Sequence, residues 1–388
     1  MKEGNIMNFD KLKQFLDTTN EAGVPSVDCA VTIDHKTVFR YGAGFTDAER
    51  TQPVRGDELY WLFSCTKPIT CTAAMKLVTE GKLGLDDKLS DYLPEFAHMM
   101  IQRPGELVEA KSPILIRHLF TMTAGFGYDL RAPALLKARI SNPKASTREL
   151  VRAMASVPLY SEPGFRYRYS LCHDVLAAVV EVVTGMSYGE YLKKNIFDPL
   201  GMTDFGFAPT PEQEARICPQ FTARSRVNQY SVRETAIPYR LSECYESGGA
   251  GLFGNVDGYI RFADAMACGG VGMNGARIIS EEGVKMMEEN QLSEVCLDDF
   301  RTVSHLFGYG FGFCGRVHMS PTISLAESPA GEFGWDGAAA PYVLIDRKNH
   351  LSIFLGAHVL GCTYAYEKVH PQVRDLTYRI LRDEGLIK

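Results

Sequence analysis

A serine and a lysine three positions apart are the sharpest chemical signal in the sequence. They stand in the run Phe63-Ser64-Cys65-Thr66-Lys67-Pro68. If Ser64 opens a helix, its side chain and that of Lys67 project from one face, within reach of each other. A serine hydroxyl is a weak nucleophile until a nearby base takes its proton. A lysine becomes such a base when burial lowers its pKa from about 10.4.

The same spacing also has a plainer interpretation, in which Ser64 caps a helix and Lys67 points into water. The flanking residues separate the two interpretations. Segments 61–63 and 69–75 are apolar, so Lys67 is an unusual charge among residues that we expect to be buried. This setting favours a reactive lysine over a solvated one.

Two other motifs match functional signatures but have simpler interpretations. Gly185-Met186-Ser187-Tyr188-Gly189 fits GxSxG, yet a helical stripe precedes it instead of the strand that a nucleophile elbow needs. Ser187 also forms a capping box with Glu190. The segment 249–254 fits GxGxxG, but no buried strand precedes it, as a dinucleotide site requires. We interpret the first motif as a helix start and the second as a glycine-rich turn.

Composition excludes several classes of protein. The 388 residues include 45% hydrophobic and 23% charged residues, and the net charge is −6. These are globular values, and an acidic chain without a basic run has no electrostatic basis for binding nucleic acid. No apolar stretch reaches the ~18 residues of a membrane helix, so we expect no membrane partner.

Cysteine and histidine usage points to a reducing compartment without a metal centre. The ten cysteines form no CxxC pair, and the nine histidines show no tight spacing, so the sequence predicts neither a zinc site nor any cofactor. The N-terminal residues lack the apolar core of a signal peptide. We therefore expect a cytoplasmic protein.

Strand-like segments lie near both ends of the chain, and helical patterns fill the middle. Residues 27–33 alternate between apolar and small or polar types, and segments 342–345 and 351–355 are also strand-like. This order predicts an α+β fold: an α/β sandwich with an antiparallel sheet from both termini, flanked by helices. We place the sheet domain at residues 1–80 and 245–388, and an inserted, mainly helical domain at 81–244.

Several motifs occur in the order typical of one superfamily. In chain order they are Ser64-Cys65-Thr66-Lys67, Ile116 to Gly125, Glu162-Pro163-Gly164 with Tyr169-Ser170-Leu171, Ser247 to Leu252, and Gly334-Trp335-Asp336-Gly337. With them the chain resembles the serine β-lactamase and penicillin-binding-protein superfamily nearly from end to end. The likeness is closest to class C β-lactamase-like serine hydrolases and family VIII carboxylesterases. It implies the β-lactamase/transpeptidase-like fold.

The resemblance also implies catalytic roles. Ser64 would form an acyl-enzyme, and Lys67 and Tyr169 would share the transfer of protons. Tyr167 is a rival for the tyrosine, but only Tyr169 precedes a serine at the motif position. The backbone N–H groups of Ser64 and Ala338 would form the oxyanion hole.

The expected substrate contacts are Trp335, Asp336, Gly337 and Leu171, and three of them depart from the family pattern. Leu171 replaces the usual asparagine, Trp335 replaces a lysine that would bind a carboxylate, and Asp336 adds a negative charge. All three changes weaken the recognition of an anionic, amide-bearing substrate. A small neutral ester fits better, and an amine-bearing ester is compatible with Asp336.

The leading function is therefore a serine esterase that acts on a small-molecule ester or acyl substrate. An acyltransferase with the same acyl-enzyme is the second hypothesis, a β-lactamase or D-peptidase the third, and a non-catalytic binding protein the fourth. Segments 131–144 and 291–320 are expected to shape the pocket.

Overall fold

The computed structural model describes residues 7–223, 230–233 and 240–388. The strands in this part of the chain are β1 (Ser26–Ile33), β2 (Lys36–Gly44), β3 (Tyr60–Trp61), β4 (Met100–Arg103), β5 (Glu106–Glu109), β6 (Gln220–Ala223), β7 (Tyr230–Arg233), β8 (Phe253–Gly254), β9 (Tyr309–Phe311), β10 (Arg316–His318), β11 (Phe333–Asp336), β12 (Tyr342–Asp346), β13 (Leu351–Gly356) and β14 (Val359–Leu360).

The α-helices are α1 (Asp10–Thr18), α2 (Thr66–Thr79), α3 (Leu89–Tyr92), α4 (Ile116–Phe120), α5 (Pro133–Ser141), α6 (Thr147–Met154), α7 (Cys172–Thr184), α8 (Tyr188–Leu192), α9 (Asp198–Leu200), α10 (Pro211–Glu214), α11 (Val256–Ala267), α12 (Glu281–Met287), α13 (Glu294–Ser304), α14 (Pro321–Ser324) and α15 (His370–Asp383). Short 3-10 turns cover Phe63–Cys65 and Pro94–Phe96, and π-helical turns cover Lys193–Phe197 and Ala365–Val369.

The main sheet has seven strands in the order β2-β1-β13-β12-β11-β10-β9. Every neighbouring pair in it is antiparallel. Strands from the start of the chain thus pair directly with strands from its end, which confirms the predicted α+β class. The hairpin β1–β2 turns at Asp34 and His35, and β2 continues to Gly44.

The two faces of the sheet bury different cores because successive side chains of a strand point to opposite sides. Val27 and Val31 of β1 belong to a core with Leu12 of α1 and Val373 of α15. Ala30 points to the other face, into the larger core that contains α11 and the helical region. The sheet is therefore enclosed between helices on both sides.

Helix α2 lies between the sheet and the helical region and is buried almost all round. Such a helix has no solvent-facing stripe, and a charge on it is enclosed by protein. The helical region carries the predicted capping box of Ser146 and Glu149 before α6. It also contains the hairpin β4–β5 and the strands β6 and β7, so it is less purely helical than the sequence pattern indicates.

The GxSxG and GxGxxG matches both have the simpler structures that the sequence predicts. Ser187 is the N-cap of α8 and exchanges hydrogen bonds with Glu190. The segment from Gly249 runs through a turn into the two-residue strand β8. Within the described ranges no single helix is long and apolar enough to cross a bilayer; one pair, Cys172–Thr184 with Tyr188–Leu200, passes that test jointly but is bent by 77°.

Candidate active site

Ser64 lies in the tight turn that connects β3 to α2. Phe63, just before it, has a φ of +46°, a left-handed conformation that costs a non-glycine residue roughly 1–2 kcal/mol. The ring of Phe63 is buried in a small apolar cluster with Trp61 and Phe253. On the other side of Ser64, the hydroxyl of Tyr259 in α11 donates to the Cys65 carbonyl at 2.6 Å. Packing and this hydrogen bond fix the serine at the head of α2.

Lys67 lies one helical turn after Ser64 and is 1% exposed. Its Nζ donates to Ser64 Oγ at 3.0 Å and to the Gly249 carbonyl at 2.6 Å. Within the described residues it forms no ion pair with a carboxylate. Burial lowers the pKa of Lys67 to about 8, although the nearby Asp174 carboxylate opposes the shift. The lysine can therefore lose its proton near neutral pH.

Tyr169 approaches Ser64 from the loop before α7. The N–H groups of the adjacent Arg168 and of Leu171 donate to the carbonyls of Met122 and Gly127, which anchors this loop to the helical region. The Tyr169 hydroxyl donates to Ser64 Oγ at 2.6 Å. Tyr169 thus reaches the same oxygen as Lys67, from a loop anchored to the helical region.

Aromatic rings enclose Tyr169 on both sides. Tyr128 stacks on it with ring centroids 5.6 Å apart, and Trp335 stacks with a centroid distance of 5.7 Å. Trp335 Nε1 also donates to the Tyr169 hydroxyl at 3.2 Å. Burial raises the pKa of Tyr169, while its hydrogen bonds with Ser64 and Trp335 oppose the rise. The phenol therefore keeps its proton at neutral pH in this arrangement.

The protonation of Lys67 and Tyr169 suggests a different role for each of them in proton transfer. Ser64 Oγ accepts hydrogen bonds from both Lys67 and Tyr169, so one of them must lose a proton before the serine can be deprotonated. With a pKa of about 8, deprotonating Lys67 at pH 7 costs only ~1.4 kcal/mol. Tyr169 requires more, because its pKa is raised. The geometry favours Lys67 as the base and Tyr169 as the acid.

The backbone amides of Ser64 and Ala338 are the two N–H groups expected to form the oxyanion hole. Among the hydrogen bonds of the described residues, none uses the N–H of Ser64 or of Ala338. Gly337 lets the segment with Ala338 approach the turn before Ser64: a Cβ there would lie 2.5 Å from the Leu62 carbonyl oxygen. The Tyr366 hydroxyl donates to the carbonyls of Gly337 and Ala338 at 2.9 Å. These contacts fix the peptide planes that orient the Ala338 N–H.

Ser64 opens into a cavity of about 600 Å³. Tyrosine and tryptophan side chains form a large part of its wall, and the predicted residues Ser64, Tyr169, Trp335, Asp336 and Ala338 all line it. The remaining lining residues are Tyr128, Tyr167, Val303, Ser304, Leu306, Tyr309, Arg316, Tyr342, Tyr366, His370, Pro371 and Arg374. A largely apolar wall with a few convergent polar groups is typical of a small-molecule site.

Comparisons with known proteins identify the family of the chain. The family model for β-lactamase matches residues 9–361. The chain belongs to the β-lactamase family. It is therefore a member of the serine hydrolase superfamily, as its motifs predict.

Among curated members of the family, the esterase EstB of Burkholderia gladioli is 30% identical over 340 residues, which cover 82% of each chain. Among solved structures, EstCE1, described as a hydrolase with promiscuous acyltransferase activity, has a TM-score of 0.78 at 24% identity and covers 95% of this chain and 98% of its own. A family VIII carboxylesterase has a TM-score of 0.70 at 20% identity, with 96% and 97% covered. The two structural likenesses confirm the fold.

Two of the predicted substrate contacts, Leu171 and Gly337, do not line the cavity that holds Ser64. Leu171 is buried and lines a narrower cleft with Phe126 and Leu135, not the cavity that holds Ser64. Its position after Tyr169 does not bring it to the substrate, because α7 begins there and points its side chain into the helical core. Gly337 is close to Ser64 but acts through its backbone, since its amide donates to the Pro341 carbonyl.

Tyr167 and the predicted pocket segments are also settled by the geometry. Tyr167 lines the cavity, but its ring packs on Phe300 and Phe311, and Tyr169 takes the contact with Ser64. Segment 291–320 supplies part of the wall, largely from α13, β9 and β10 and not from a loop. Segment 131–144 instead lines a separate surface cleft, so that expectation is wrong.

Several residues that shape this family member's site were not found by sequence reasoning. Tyr128 stacks on Tyr169, and Lys67 Nζ lies 5.6 Å from the centre of its ring. The carboxylate of Asp174 accepts hydrogen bonds from Tyr245 and Ser247 at 2.7 and 2.6 Å, which holds the glycine turn near Lys67. Neither residue has a spacing that marks it, because both act through tertiary contacts.

Asp336 and Arg316 bring opposite charges to the wall of the cavity. Burial raises the pKa of Asp336, while the positive charges of Arg316 and Lys67 oppose the rise. Arg316 forms an ion pair with Glu332 at 3.2 Å, and its Nη1 has no partner among the described residues. The wall therefore contains a cation that the sequence argument for a neutral substrate did not anticipate.

Proposed function

We propose that the chain is an esterase that cleaves small neutral esters through an acyl-enzyme at Ser64. One observation carries the proposal: Ser64 Oγ lies 3.0 Å from a buried lysine amine and 2.6 Å from a tyrosine hydroxyl, at the edge of a cavity. A serine, a base and an acid in mutual hydrogen-bond reach are the parts that acyl transfer needs.

Acylation begins when Lys67 is neutral. Its amine takes the Ser64 proton while Oγ attacks the ester carbonyl, and the N–H groups of Ser64 and Ala338 stabilise the oxyanion. As the carbon–oxygen bond of the alcohol breaks, Tyr169 gives its proton to the leaving oxygen. The new ammonium of Lys67 then returns a proton to Tyr169.

Deacylation reverses these proton transfers with water in place of the alcohol. Tyr169, after passing its proton to Lys67, takes a proton from water as the water attacks the acyl carbonyl. Lys67 then returns a proton to Ser64 Oγ as the carboxylic acid product leaves. Each step uses only Lys67 and Tyr169 as carriers, so no cofactor is required.

The wall of the cavity supports an ester in preference to an anionic amide. Trp335 and Tyr169 present stacked aromatic faces next to Ser64, where the resemblance leads one to expect a lysine that binds carboxylates. The partly buried Asp336 adds an acid to the same wall. The relative EstB is an esterase by name. A cytoplasmic location stays a prediction.

Acyl transfer to an alcohol is the second candidate function. The cavity of about 600 Å³ has room for an acceptor beside a small acyl group, and the neighbour EstCE1 is described as having promiscuous acyltransferase activity. Adding a primary alcohol during ester turnover separates the two: a transferase makes a new ester, whereas a strict hydrolase makes only the acid.

The test is the hydrolysis of p-nitrophenyl acetate and butyrate by the wild type, Ser64→Ala and Ser187→Ala. Ser187 is the matched control because it is the serine of GxSxG but caps α8. We expect Ser64→Ala to lose at least ~10³-fold in kcat/KM and Ser187→Ala to keep the wild-type value. Equal loss in both variants, or full activity in Ser64→Ala, would contradict the proposal.

A further inference from the structure

Three side chains with metal-binding atoms meet outside the cavity that holds Ser64. His35 lies in the turn between β1 and β2, Asp264 lies in α11, and Cys268 directly follows that helix. One ligand atom from each lies within 4.8 Å of the others. The histidine is 229 positions from the aspartate in the sequence, which is why no spacing pattern reveals the group.

From this convergence we propose that His35, Asp264 and Cys268 form a binding site for one divalent metal ion of the zinc type. An imidazole, a carboxylate and a thiolate are the three ligand classes that Zn²⁺ accepts, and three protein ligands leave a fourth position for water. The softer thiolate disfavours Mg²⁺ and Ca²⁺, which prefer oxygen ligands.

The local structure places the three side chains on one face at the C-terminal end of α11. Asp264 and Cys268 are four residues apart, so they share one face at the end of α11. His35 has a φ of +64°, a left-handed turn conformation that brings its ring against this face. His35 Nδ1 lies 2.8 Å from Asp264 Oδ2, and Cys268 Sγ lies 4.0 Å from Asp264 Oδ1.

These separations suit a small ion after modest movement. Bonds of ~2.0–2.3 Å in a tetrahedron place neighbouring ligand atoms roughly 3.3–3.8 Å apart. The imidazole and carboxylate must therefore separate slightly and the thiol must move inward. His35 has an exposed side-chain fraction of 38%, so its ring is free to shift and the ion has a path from solvent.

Charge gives an independent reason for a cation here. Asp264 is fully buried, and the only ion pair that it forms among the described residues is with His35, which is charged only when protonated. A buried carboxylate without a lasting positive partner costs several kcal/mol. A divalent ion bound here would supply the positive charge and displace the thiol proton of Cys268.

The site acts on the fold and not on the ester chemistry. An ion bound there ties the β1–β2 turn to the end of α11. The same helix holds the Ser64 turn through Tyr259, but none of the three ligands lines the cavity. We therefore expect the metal to raise thermal stability and to leave kcat/KM for esters unchanged.

The decisive experiment is a titration of the reduced, chelator-treated protein with Co²⁺, followed by absorption. A thiolate ligand gives a sulfur-to-cobalt charge-transfer band in the near ultraviolet, and tetrahedral geometry gives strong visible bands. We expect saturation at one equivalent, loss of the bands on adding Zn²⁺, and a Zn²⁺-dependent rise in Tm. The charge-transfer band must disappear in Cys268→Ser, and the tetrahedral visible bands must weaken in His35→Gln.

Cys244→Ser is the matched control, because Cys244 is exposed and distant from the cluster in the sequence. It must keep the full cobalt spectrum. A protein without a thiolate band, or one whose band survives in Cys268→Ser and vanishes in Cys244→Ser, would overturn the proposal. Ester hydrolysis by each variant checks that it is folded and separates this result from the test of Ser64.

Discussion

Two buried cations differ in their surroundings: Lys67 donates to Ser64 at the edge of the cavity, and Arg316 lines the cavity wall. They are 1% and 4% exposed. Arg316 has a counter-ion in Glu332, also donates to the Val343 carbonyl at 2.9 Å, and lies over the ring of Tyr342. Among the described residues, the hydrogen-bond acceptors of Lys67 are both neutral, Ser64 Oγ and the Gly249 carbonyl.

The difference distinguishes an arginine that stays protonated and supports the fold from a lysine that can lose its proton. Burial opposes the charge on Arg316, but the nearby carboxylates of Glu332 and Asp336 counteract it and the pKa of Arg316 is raised, so it stays protonated. Burial without such a partner lowers the pKa of Lys67 to about 8. Perturbation of this second kind is the one that concentrates at catalytic sites. Each variant below is chosen to break or sharpen this contrast.

Lys67→Met is expected to have the largest effect on catalysis. It removes the base but also removes an unpaired buried charge, so kcat/KM for p-nitrophenyl acetate falls by ~10³–10⁴-fold while Tm does not fall. Steady-state kinetics and thermal unfolding measure the two effects.

Lys67→Arg is the companion variant, because it keeps a cation that cannot deprotonate. It must be nearly as inactive as Lys67→Met. Substantial activity in the arginine variant would mean that position 67 supplies only charge, and the proton-transfer role would be wrong.

Arg316→Met is expected to show the opposite pattern. It leaves Glu332 buried without its partner, so the free energy of unfolding falls by ~3–5 kcal/mol, measured by urea denaturation. The double variant Arg316→Met, Glu332→Leu removes both charges and must recover most of that loss. A double variant no more stable than the single one contradicts the assignment of Arg316 to the fold.

Tyr169→Phe tests the proposed acid, which contacts the same Ser64 oxygen as Lys67. It keeps the stacked ring but loses the hydroxyl that donates to Ser64, so we expect kcat/KM to fall by ~10²-fold. The loss must be larger for alkyl esters than for p-nitrophenyl esters, because p-nitrophenolate leaves without protonation. An equal loss for both classes of ester would argue for a positioning role.

Trp335→Phe is expected to have the smallest effect of the series. It retains an aromatic ring against Tyr169 and removes the Nε1 hydrogen bond to its hydroxyl. One such bond is worth ~0.5–1.5 kcal/mol, so kcat should fall by no more than about tenfold. A loss as large as that of Tyr169→Phe would show that Trp335 does more than assist the tyrosine.

Local patterns and motif order were enough to predict the fold class and the placement of Ser64 beside Lys67. The alternation of Val27 to Ile33 predicted β1, and the SxxK spacing placed Ser64 and Lys67 together at the head of a helix. The resemblance, and not the residue pattern, supplied Tyr169 and Ala338. These predictions were possible because they depend on nearby residues or on the order of motifs, and the catalytic roles stay predictions.

What the sequence did not predict depends on contacts between distant segments. Arg316 reaches Val343 across β11 at Gly334, where a Cβ would lie 3.3 Å from its Nη2. Tyr128 joins the site only because its loop bonds to the segment of Tyr169. Leu171 was assigned to the substrate because it is close to Tyr169 in the sequence. Tyr169 lines the cavity, but Leu171 lines a different cleft. Cys268 and His35 likewise meet only after folding.

The rate of Ser64 labelling by a fluorophosphonate as a function of pH tests the central claim most directly. The reagent needs an activated serine but no leaving-group acid, so it isolates the role of Lys67. The account predicts one adduct, mapped to Ser64, and a rate that rises roughly tenfold between pH 7 and 9 as Lys67 loses its proton. An adduct on another serine, or a rate that does not change across this range, would contradict it.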